Sequence, residues 1–411
     1  MKKTSALGDL SLLVLGLLIG LPTPSLIRNV VLYSAGTGGP SSFFSSPSAS
    51  SIVSTPSSSL STSGRKDAAR RERKTQRSYI LDPEKHHFCN NTEPMGKPGQ
   101  PLPDWDIIGT PTASTWPAIK CHWTKMWHSN VPMKPLDVCT HDPAQDGVIS
   151  TFLHTYNFWG GPDDYNFLLA MGPCTPERPY MLDIGANLGV YTILGASRGC
   201  KSLSFEPLSQ NILRLYESLK IGGFEKNVKL FKHAVGKYFT DVKIGFRAFN
   251  PGAPALGVDA GDGNTEHMKQ ITIDGLLLGD KAPVFEDEKL PLIGKHINFV
   301  KIDTEGYDVA VVDGMLRTLL EGRPPHILIE FTPGDAQGTA GCNPYHFVEL
   351  MYAAGYRMYE GAKASSLRSL LDVEIPFLLS GKGKRVFEAW FIHDNAAKHW
   401  MALGLMQRPS N

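Results

Sequence analysis

Short apolar runs alternate with amphipathic stretches along the chain from about residue 179 to residue 393. Runs that are rich in β-branched residues and short enough to be strands fall at residues 180–184, 202–205, 228–234, 242–246, 298–302, 326–331, 356–359 and 388–393. Stretches with helical spacing fall at residues 190–197, 211–221, 309–320 and 345–354. This alternation is typical of an α/β fold with a doubly wound sheet. We take residues 151–400 as one such domain.

Residues 79–150 show no sustained helical or strand periodicity, and we expect an irregular accessory segment there. Five of the seven tryptophans lie in this segment or just after it, and packing in a small core is favoured over stacking on sugar faces. The segment also holds Cys89, Cys121 and Cys139 with nearby histidines. No pair of these has the usual zinc-finger spacing, so buried thiols or disulfides are favoured over a zinc site.

The amino-terminal residues have the layout of a secretory signal. A short apolar run at residues 10–21 follows Lys2 and Lys3. It is shorter than the roughly 17–25 residues of a membrane-spanning helix unless the prolines that follow are included. We favour an uncleaved signal anchor over a cleaved signal peptide for residues 1–35, because no small-x-small cleavage site follows the run. An organelle transit sequence is the alternative.

The next part of the chain has the composition of a linker. Thirteen of the 23 residues at positions 41–63 are serine, and a basic run follows at residues 65–74. So little apolar surface cannot offset chain entropy, and we expect residues 36–78 to be a disordered linker. Asn90 begins an Asn-Asn-Thr glycosylation sequon, which matters only if the chain enters the secretory pathway.

The charge is unevenly distributed. Residues 1–80 carry a net charge of +7 and the remaining residues carry −6, so the whole chain carries +1. Because the body is mildly acidic, we expect no nucleic-acid partner. The six cysteines are too few for a disulfide framework and leave the redox compartment open.

A glycine-containing turn follows the first predicted strand of the domain. Asp183 ends this strand, and Gly185, Asn187 and Gly189 lie in the turn before the first helix. Such a turn lets a ligand approach the backbone near the helix amides. The middle glycine of a dinucleotide fingerprint is missing. A carboxylate beside the turn repels a phosphate but suits the cationic amine of S-adenosylmethionine.

A second acidic residue strengthens this interpretation. Glu206 ends the next strand, 23 residues after Asp183, where an acid can accept the ribose hydroxyls of a nucleoside. The pair predicts a site for S-adenosylmethionine that includes Asp183, Gly185, Asn187, Gly189 and Glu206. A nicotinamide oxidoreductase is disfavoured by the glycine pattern.

The third motif is the segment Phe-Val-Lys-Ile-Asp-Thr-Glu-Gly at residues 299–306. With the Asp-Ile-Gly-Ala-Asn-Leu-Gly turn and the Phe-Glu-Pro strand end, it resembles the FkbM-type family of S-adenosylmethionine-dependent methyltransferases over roughly residues 180–360. The resemblance implies the Rossmann-like fold of class I methyltransferases. Residues 250–269 are longer than the family pattern needs, and we interpret them as a lid or a surface insertion.

Three residues of this motif are candidates for catalysis. Asp303 and Glu305 stand two apart at a strand end, where their repulsion would raise one pKa toward the range of a general base. Alternatively they hold a divalent metal or cap the amides of the next helix. Lys301 pairs with one of them or is a solvated lysine. Glu330 and His233 are the next candidates.

The sequence therefore predicts an S-adenosylmethionine-dependent O-methyltransferase. We expect it to be a single-pass membrane protein of the secretory pathway, in a Golgi-like lumen, that acts on a hydroxyl of a glycan or another small acceptor. The alternative is a catalytically inactive methyltransferase-like binding module.

Overall fold

A computed structural model of the chain describes an eight-stranded sheet with helices on both faces and a short segment before it. The residues described are 89, 119–127, 133–159, 174–247, 250–256, 265–278, 294, 296–333, 340–360, 368–369, 387–396 and 402. The predicted anchor, the predicted linker and the Asn90 sequon lie outside these residues. Within the described part of the chain, no helix is both long and apolar enough to cross a bilayer.

The strands, in chain order, are β1 His122–Met126, β2 Leu136–Thr140, β3 Tyr180–Ile184, β4 Lys201–Phe205, β5 Val228–Phe231, β6 Ala234–Val235, β7 Thr240–Arg247, β8 Asn250–Leu256, β9 Thr265–Ile271, β10 Ile297–Ile302, β11 His326–Phe331, β12 Tyr356–Glu360, β13 Arg368–Ser369 and β14 Phe387–His393. The α-helices are α1 Ile149–Tyr156, α2 Val190–Ser197, α3 Ser209–Gly222, α4 Ile273–Leu278, α5 Asp308–Asp313 and α6 Pro344–Ala353. A 3₁₀ turn at Glu225–Asn227 and a π-helical turn at Thr318–Gly322 complete the regular structure.

The main sheet has eight strands in the order β13-β12-β14-β11-β10-β3-β4-β5. The five strands from β5 to β11 pair in parallel, and β14 pairs antiparallel between β11 and β12. From β3 the chain continues to β4 and β5 on one side, whereas β10 and β11 lie on the other side. A doubly wound sheet has its crevice where the strand order reverses in this way, at the carboxyl ends of β3 and β10. This sheet confirms the predicted doubly wound α/β class.

Both faces of the main sheet are covered by apolar side chains. Leu182 and Ile184 of β3 belong to one buried cluster, together with residues of α4, α5 and α6. Met181 points to the other cluster, which contains residues of α2 and α3. Because neither face meets water, the central strands are continuous apolar runs, as parallel strands usually are.

The segment before the domain is more regular than the sequence predicts. Strands β1 and β2 form an antiparallel hairpin, and α1 follows it. The hairpin and α1 contribute Met126, Val138 and Leu153 to the cluster that contains α2 and α3. The described residues 122–126, 136–140 and 149–156 are regular where the sequence shows no periodicity, because strands of five residues and a helix of eight are too short to give a sustained pattern. The domain boundary predicted at residue 150 falls inside α1.

Residues 250–256 and 265–269, within the segment interpreted as a lid or a surface insertion, have regular secondary structure. They form β8 and most of β9 in a four-stranded sheet with the order β6-β9-β7-β8. Among the described residues, strand β8 lies at the edge of this sheet and pairs with β7, and an edge strand tolerates proline because one side needs no amide donors. The glycines and prolines of this segment therefore concealed a strand.

All six cysteines form disulfides, and none is free. The pairs are Cys89–Cys342, Cys121–Cys139 and Cys174–Cys200. The zinc-site alternative is therefore wrong, since a cysteine in a disulfide has no thiolate to offer a metal.

Candidate functional site

The turn between β3 and α2 has the backbone that its glycines predict. Gly185, Asn187 and Gly189 have φ values of 80°, 53° and 84°, which lie in the left-handed region. A Cβ atom on Gly185 would overlap the carbonyl oxygen of Asp303, and one on Gly189 would overlap the side chain of Leu215. Close packing of the chain on itself therefore requires both glycines, in addition to any ligand contact.

Backbone hydrogen bonds hold this turn against its neighbours at the crevice. The amides of Gly185 and Ala186 both donate to the Phe205 carbonyl of β4 at 2.9 Å. The amide of Asp303 donates to the Ile184 carbonyl of β3 at 2.9 Å. The three sequence motifs, which are up to 120 residues apart in the chain, thus meet at one edge of the sheet.

Glu206 lies buried directly after β4. Its Oε2 accepts a hydrogen bond from the Asn187 amide at 2.8 Å, and its Oε1 accepts from the Leu208 amide at 2.9 Å and from Asn211 Nδ2 at 3.3 Å. Burial raises the pKa of this carboxyl to about 7, although these hydrogen bonds favour the ionised form. The Glu206 carboxylate thus links the turn, the second strand end and α3.

Asp183 is buried beneath the turn. Its Oδ2 accepts a hydrogen bond from the Thr192 hydroxyl at 2.5 Å, and Thr192 also contacts Ser204 at 2.7 Å. Burial raises the pKa of Asp183 to about 6, and the Thr192 hydrogen bond and the charge of Lys301 oppose this shift. The carboxyl therefore ties β3 to α2, and its predicted role toward the cofactor stays a prediction.

Lys301 on β10 is 2% exposed, so the solvated alternative is wrong. Its Nζ lies 3.2 Å from Asp303 Oδ2 and 3.5 Å from Glu388 Oε2, and it stands 5.4 Å from the centroid of the Tyr191 ring. Burial opposes the ammonium charge, but the nearby carboxylates outweigh it and raise the pKa of Lys301. Lys301 is therefore a fixed positive charge, not a proton acceptor.

Three carboxyl groups meet at the ends of β10 and β11. One oxygen from each of Asp303, Glu305 and Glu330 lies within 4.8 Å of the others. Glu305 has a φ of 54°, an uncommon conformation for a residue with a side chain, which is often found at functional sites. Burial, followed by the charges of Asp303 and Glu305, raises the pKa of Glu330 well above its usual range.

Asp308, the first residue of α5, binds backbone amides of the loop that precedes the helix. Its Oδ1 accepts from the Thr304 amide at 2.6 Å and its Oδ2 accepts from the Gly306 amide at 3.1 Å. Burial, with the Asp303 charge, raises the pKa of Asp308 to about 6. The Asp308 carboxylate therefore holds the loop that carries Glu305. Among the described residues, no side chain caps the amides of α5, so the capping alternative for Asp303 and Glu305 is wrong.

The arrangement offers two chemical uses for the carboxyl cluster. Carboxylate oxygens at this spacing are suitable ligands for a hard divalent cation. A carboxyl with a raised pKa beside a crevice is also suited to accept a proton near neutral pH. Lys301 already supplies one positive charge to Asp303, which reduces the need for a second cation there.

The sequence ranked two residues differently from the structure. Glu330 was only a secondary candidate, yet the raised pKa falls on it. In the sequence, Glu330 was indicated only by its position at the end of an apolar strand. Its burial, which raises its pKa, is visible only in the structure. His233, the other secondary candidate, lies between β5 and β6 and contacts the Lys269 carbonyl at 3.3 Å. Two contributors were missed: His141 and Asn211, which adjoin Glu206.

Comparison with known proteins gives a match to one protein family. Residues 183–358 match the family model described as the methyltransferase FkbM domain. No curated protein matches the chain.

Several solved structures resemble parts of the chain at low identity. A methyltransferase FkbM from Methylobacillus flagellatus KT has 15% identity and a TM-score of 0.30, with 52% of this chain and 44% of that chain covered. A putative O-methyltransferase from Klebsiella pneumoniae has 14% identity and a TM-score of 0.31, with 62% and 91% covered. A SAM-dependent methyltransferase from Agrobacterium tumefaciens has 10% identity and a TM-score of 0.33, with 67% and 71% covered. The chain thus spans less than half the length of the Methylobacillus protein.

The family match covers all three motifs of the crevice. The doubly wound sheet, with the antiparallel β14 between β11 and β12, is the Rossmann-like fold of class I methyltransferases. Residues 183–358, which hold the crevice, therefore match the methyltransferase FkbM domain.

Proposed function

We propose that the protein transfers the methyl group of S-adenosylmethionine to a hydroxyl of a glycan or another small acceptor. The observation that carries the proposal is the group of carboxyls at the ends of β10 and β11, which adjoins the glycine turn through the contact of Asp303 with Gly185. A hydroxyl is a weak nucleophile, and a base beside it assists the transfer.

The residues of the crevice fit S-adenosylmethionine. Glu206 presents a carboxylate after the second strand, with lone pairs left to accept ribose hydroxyls, and the left-handed turn brings backbone close to the crevice. When bound, the cofactor supplies a methyl group on a sulfonium, which is already a good leaving group. The chain's own tasks are to orient the acceptor, exclude water and take up a proton.

Glu330 is the residue we assign to proton uptake. Burial, followed by the charges of Asp303 and Glu305, raises its pKa well above the usual range, and Lys301 holds the charge of Asp303 in place. The proton of the acceptor hydroxyl passes to the Glu330 carboxylate as the oxygen takes the methyl group. Asp303, Glu305 and Lys301 act with it as the candidate catalytic set.

We also propose that the protein works in the secretory lumen, attached to the membrane by residues 1–35. The three disulfides support an oxidising compartment, where such bonds persist. A glycosidase-sensitive change in gel mobility, lost in Asn90→Gln, tests this assignment. An unmodified chain in mammalian cells would count against it.

Calorimetric titration and acceptor assays test the activity. We expect binding of S-adenosylmethionine and not of NAD. With an accepting glycan, Glu330→Gln should lower turnover by roughly 10²–10⁴ while the cofactor Kd stays unchanged. Glu321→Gln, an exposed carboxylate paired with Arg317, is the matched control.

The outcomes separate the alternatives. Loss of activity when a chelator is added would indicate that the carboxyl cluster binds a metal ion. Full activity in the presence of chelator would support a general base instead. Full turnover in each of Glu330→Gln, Asp303→Asn and Glu305→Gln would make the cluster structural. Cofactor binding with no transfer to any hydroxyl acceptor would favour the inactive binding module.

A further inference from the structure

The hairpin that precedes the FkbM domain contacts one face of α3. The Cys139 amide donates to Ser218 Oγ at 2.8 Å, Arg214 Nε donates to the Thr140 carbonyl at 3.2 Å, and His141 Nε2 lies 2.7 Å from Asn211 Oδ1. Asn211, Arg214 and Ser218 are spaced by three and four residues, so they share one face of the helix. The hairpin therefore meets α3 along two turns.

One of these contacts continues to the cofactor acid. Asn211 is fully buried and donates from Nδ2 to Glu206 Oε1 at 3.3 Å. His141 is also buried, so neither side chain has bulk water as an alternative partner. A chain of hydrogen bonds thus runs from His141 in the segment outside the domain, through Asn211, to Glu206.

The donor and acceptor atoms of His141, Asn211 and Glu206 determine the direction of each hydrogen bond in this series. The Asn211 amide must donate from Nδ2 to the Glu206 carboxylate, because the Asn211 Oδ1 atom would repel the carboxylate oxygens. Its Oδ1 then faces His141 and can only accept, so His141 Nε2 must carry the hydrogen. Burial, together with the charge of Arg214, lowers the pKa of His141, which favours the neutral ring. Neutral imidazole with the hydrogen on Nε2 meets this requirement.

We propose that His141 and Asn211 are positioning residues for Glu206, so that the hairpin outside the FkbM domain sets the affinity for the cofactor. The inference rests on the proposed binding of S-adenosylmethionine by Glu206. Asn211 holds one carboxylate oxygen in place, and His141 fixes the rotation of the Asn211 amide. Without them, Glu206 keeps the backbone donors of Asn187 and Leu208 but loses its side-chain support.

The test compares variants of the full chain by calorimetric titration with S-adenosylmethionine. His141→Leu removes the donor at similar volume, and we expect a roughly fivefold rise in Kd, as for loss of one neutral hydrogen bond. His141→Gln keeps an amide donor near the same place and should restore affinity. Ser218→Ala removes a different buried hydrogen bond between the hairpin and α3, and its Kd should match that of the wild type.

A kinetic measurement adds a second readout. In His141→Leu, KM for S-adenosylmethionine should rise while kcat stays within twofold, because the carboxyl cluster is untouched. Equal rises in Kd for His141→Leu and Ser218→Ala would overturn the proposal, since docking of the hairpin alone would then explain both. An unchanged Kd in folded His141→Leu would overturn it as well.

Should His141→Leu fail to fold, the wild-type protein still tests the proposal. ¹⁵N NMR of the histidine-labelled chain, with the signal assigned from His141→Gln, reports which ring nitrogen carries the hydrogen. The proposal requires Nε2, and a hydrogen on Nδ1 would overturn it. Wild-type protein that does not bind S-adenosylmethionine would refute the proposed function instead, which the first titration shows directly.

Discussion

At the scale of single residues, the crevice concentrates carboxyl groups whose pKa values are raised by burial. Asp183 and Asp308 titrate at about 6 and Glu206 at about 7. Each has a folded pKa above its unfolded value, so ionisation costs stability as pH rises through the folded pKa. Stability from these groups is complete below about pH 4 and is lost toward neutral pH. A loss of stability from buried ionisable groups is common at functional sites, where shifted pKa values serve catalysis or binding.

Glu206 gives a pH-dependent prediction for cofactor binding. An ionised carboxylate accepts both ribose hydroxyls, so the affinity of the wild type should rise as pH increases through about 7. Glu206→Gln should weaken binding by roughly 10–100-fold at pH 8, as expected for hydrogen bonds to a charged group. Titration calorimetry from pH 5.5 to 8.5 measures both effects.

Two comparisons make this result specific to Glu206. Glu217→Gln, on α3 and paired with Lys220 at the surface, should keep the wild-type pH profile. Asp183 and Asp308 are present in every variant, so the difference between profiles isolates Glu206. A Glu206→Gln profile that still rises through pH 7 would contradict the assignment.

At the scale of elements, the meeting of β3 with β10 depends on one glycine. The pairing register sets Asp183 beside Lys301 and Ile184 beside Ile302, which brings the Asp303 carbonyl against Gly185. The strand ends approach so closely that no side chain fits between them. The packing of the sheet and the geometry of the candidate site therefore share this contact.

Gly185→Ala should destabilise the protein by at least ~3 kcal/mol. The new Cβ overlaps the Asp303 carbonyl and the residue keeps a φ of 80°, so overpacking adds to backbone strain. Gly199→Ala is the matched control, because its φ is 82° but nothing lies within 4 Å of the added atom. It should cost only about 1–2 kcal/mol. Urea unfolding measures both, and equal losses would contradict the contact.

Element boundaries show where local sequence patterns suffice. The strands at 180–184 and 326–331 and the helix at 190–197 were predicted to the residue. The helix expected at 309–320 instead ends at Asp313 and resumes as a π-helical turn. The amides of Arg317 and Thr318 donate to Asp274 at 2.8 Å, a partner 43 residues away that no local pattern reveals.

At the scale of the whole molecule, disulfides connect distant parts of the chain. Cys89–Cys342 joins residues 253 apart, whereas Cys121–Cys139 joins residues 18 apart within the hairpin. In the chain-entropy account, a cross-link stabilises by restricting the unfolded state, and more so for a longer loop. The first disulfide therefore ties Cys89 to the loop just before α6 and restricts the unfolded chain most.

Removing the long-range disulfide should cost more than removing the short one. We expect the Cys89→Ser, Cys342→Ser double variant to lose about 5 kcal/mol and the Cys121→Ser, Cys139→Ser variant to lose about 3 kcal/mol. Urea unfolding of each variant without reductant gives the comparison. Equal losses, or a larger loss in the hairpin variant, would contradict an origin in loop entropy.

Local sequence patterns were enough to predict the fold class, the motifs at the strand ends and the resemblance to the FkbM family. These follow from short-range periodicity and from motifs such as Asp183 to Gly189 and Phe205 to Pro207, in which neighbouring residues carry the signal. The site residues proposed from those motifs lie together, although their roles remain predictions.

The interactions between residues that are distant in sequence became apparent only in the folded chain. The disulfide pairs, the contact of His141 with Asn211 and the raised pKa of Glu330 join groups 18 to 253 residues apart or depend on burial. Charge repulsion and desolvation act through space, and the distance between groups appears only when the chain is folded. For that reason the sequence motifs predicted that acidic residues lie at the strand ends. Burial and neighbouring charges in the folded chain determine which of these residues has a raised pKa.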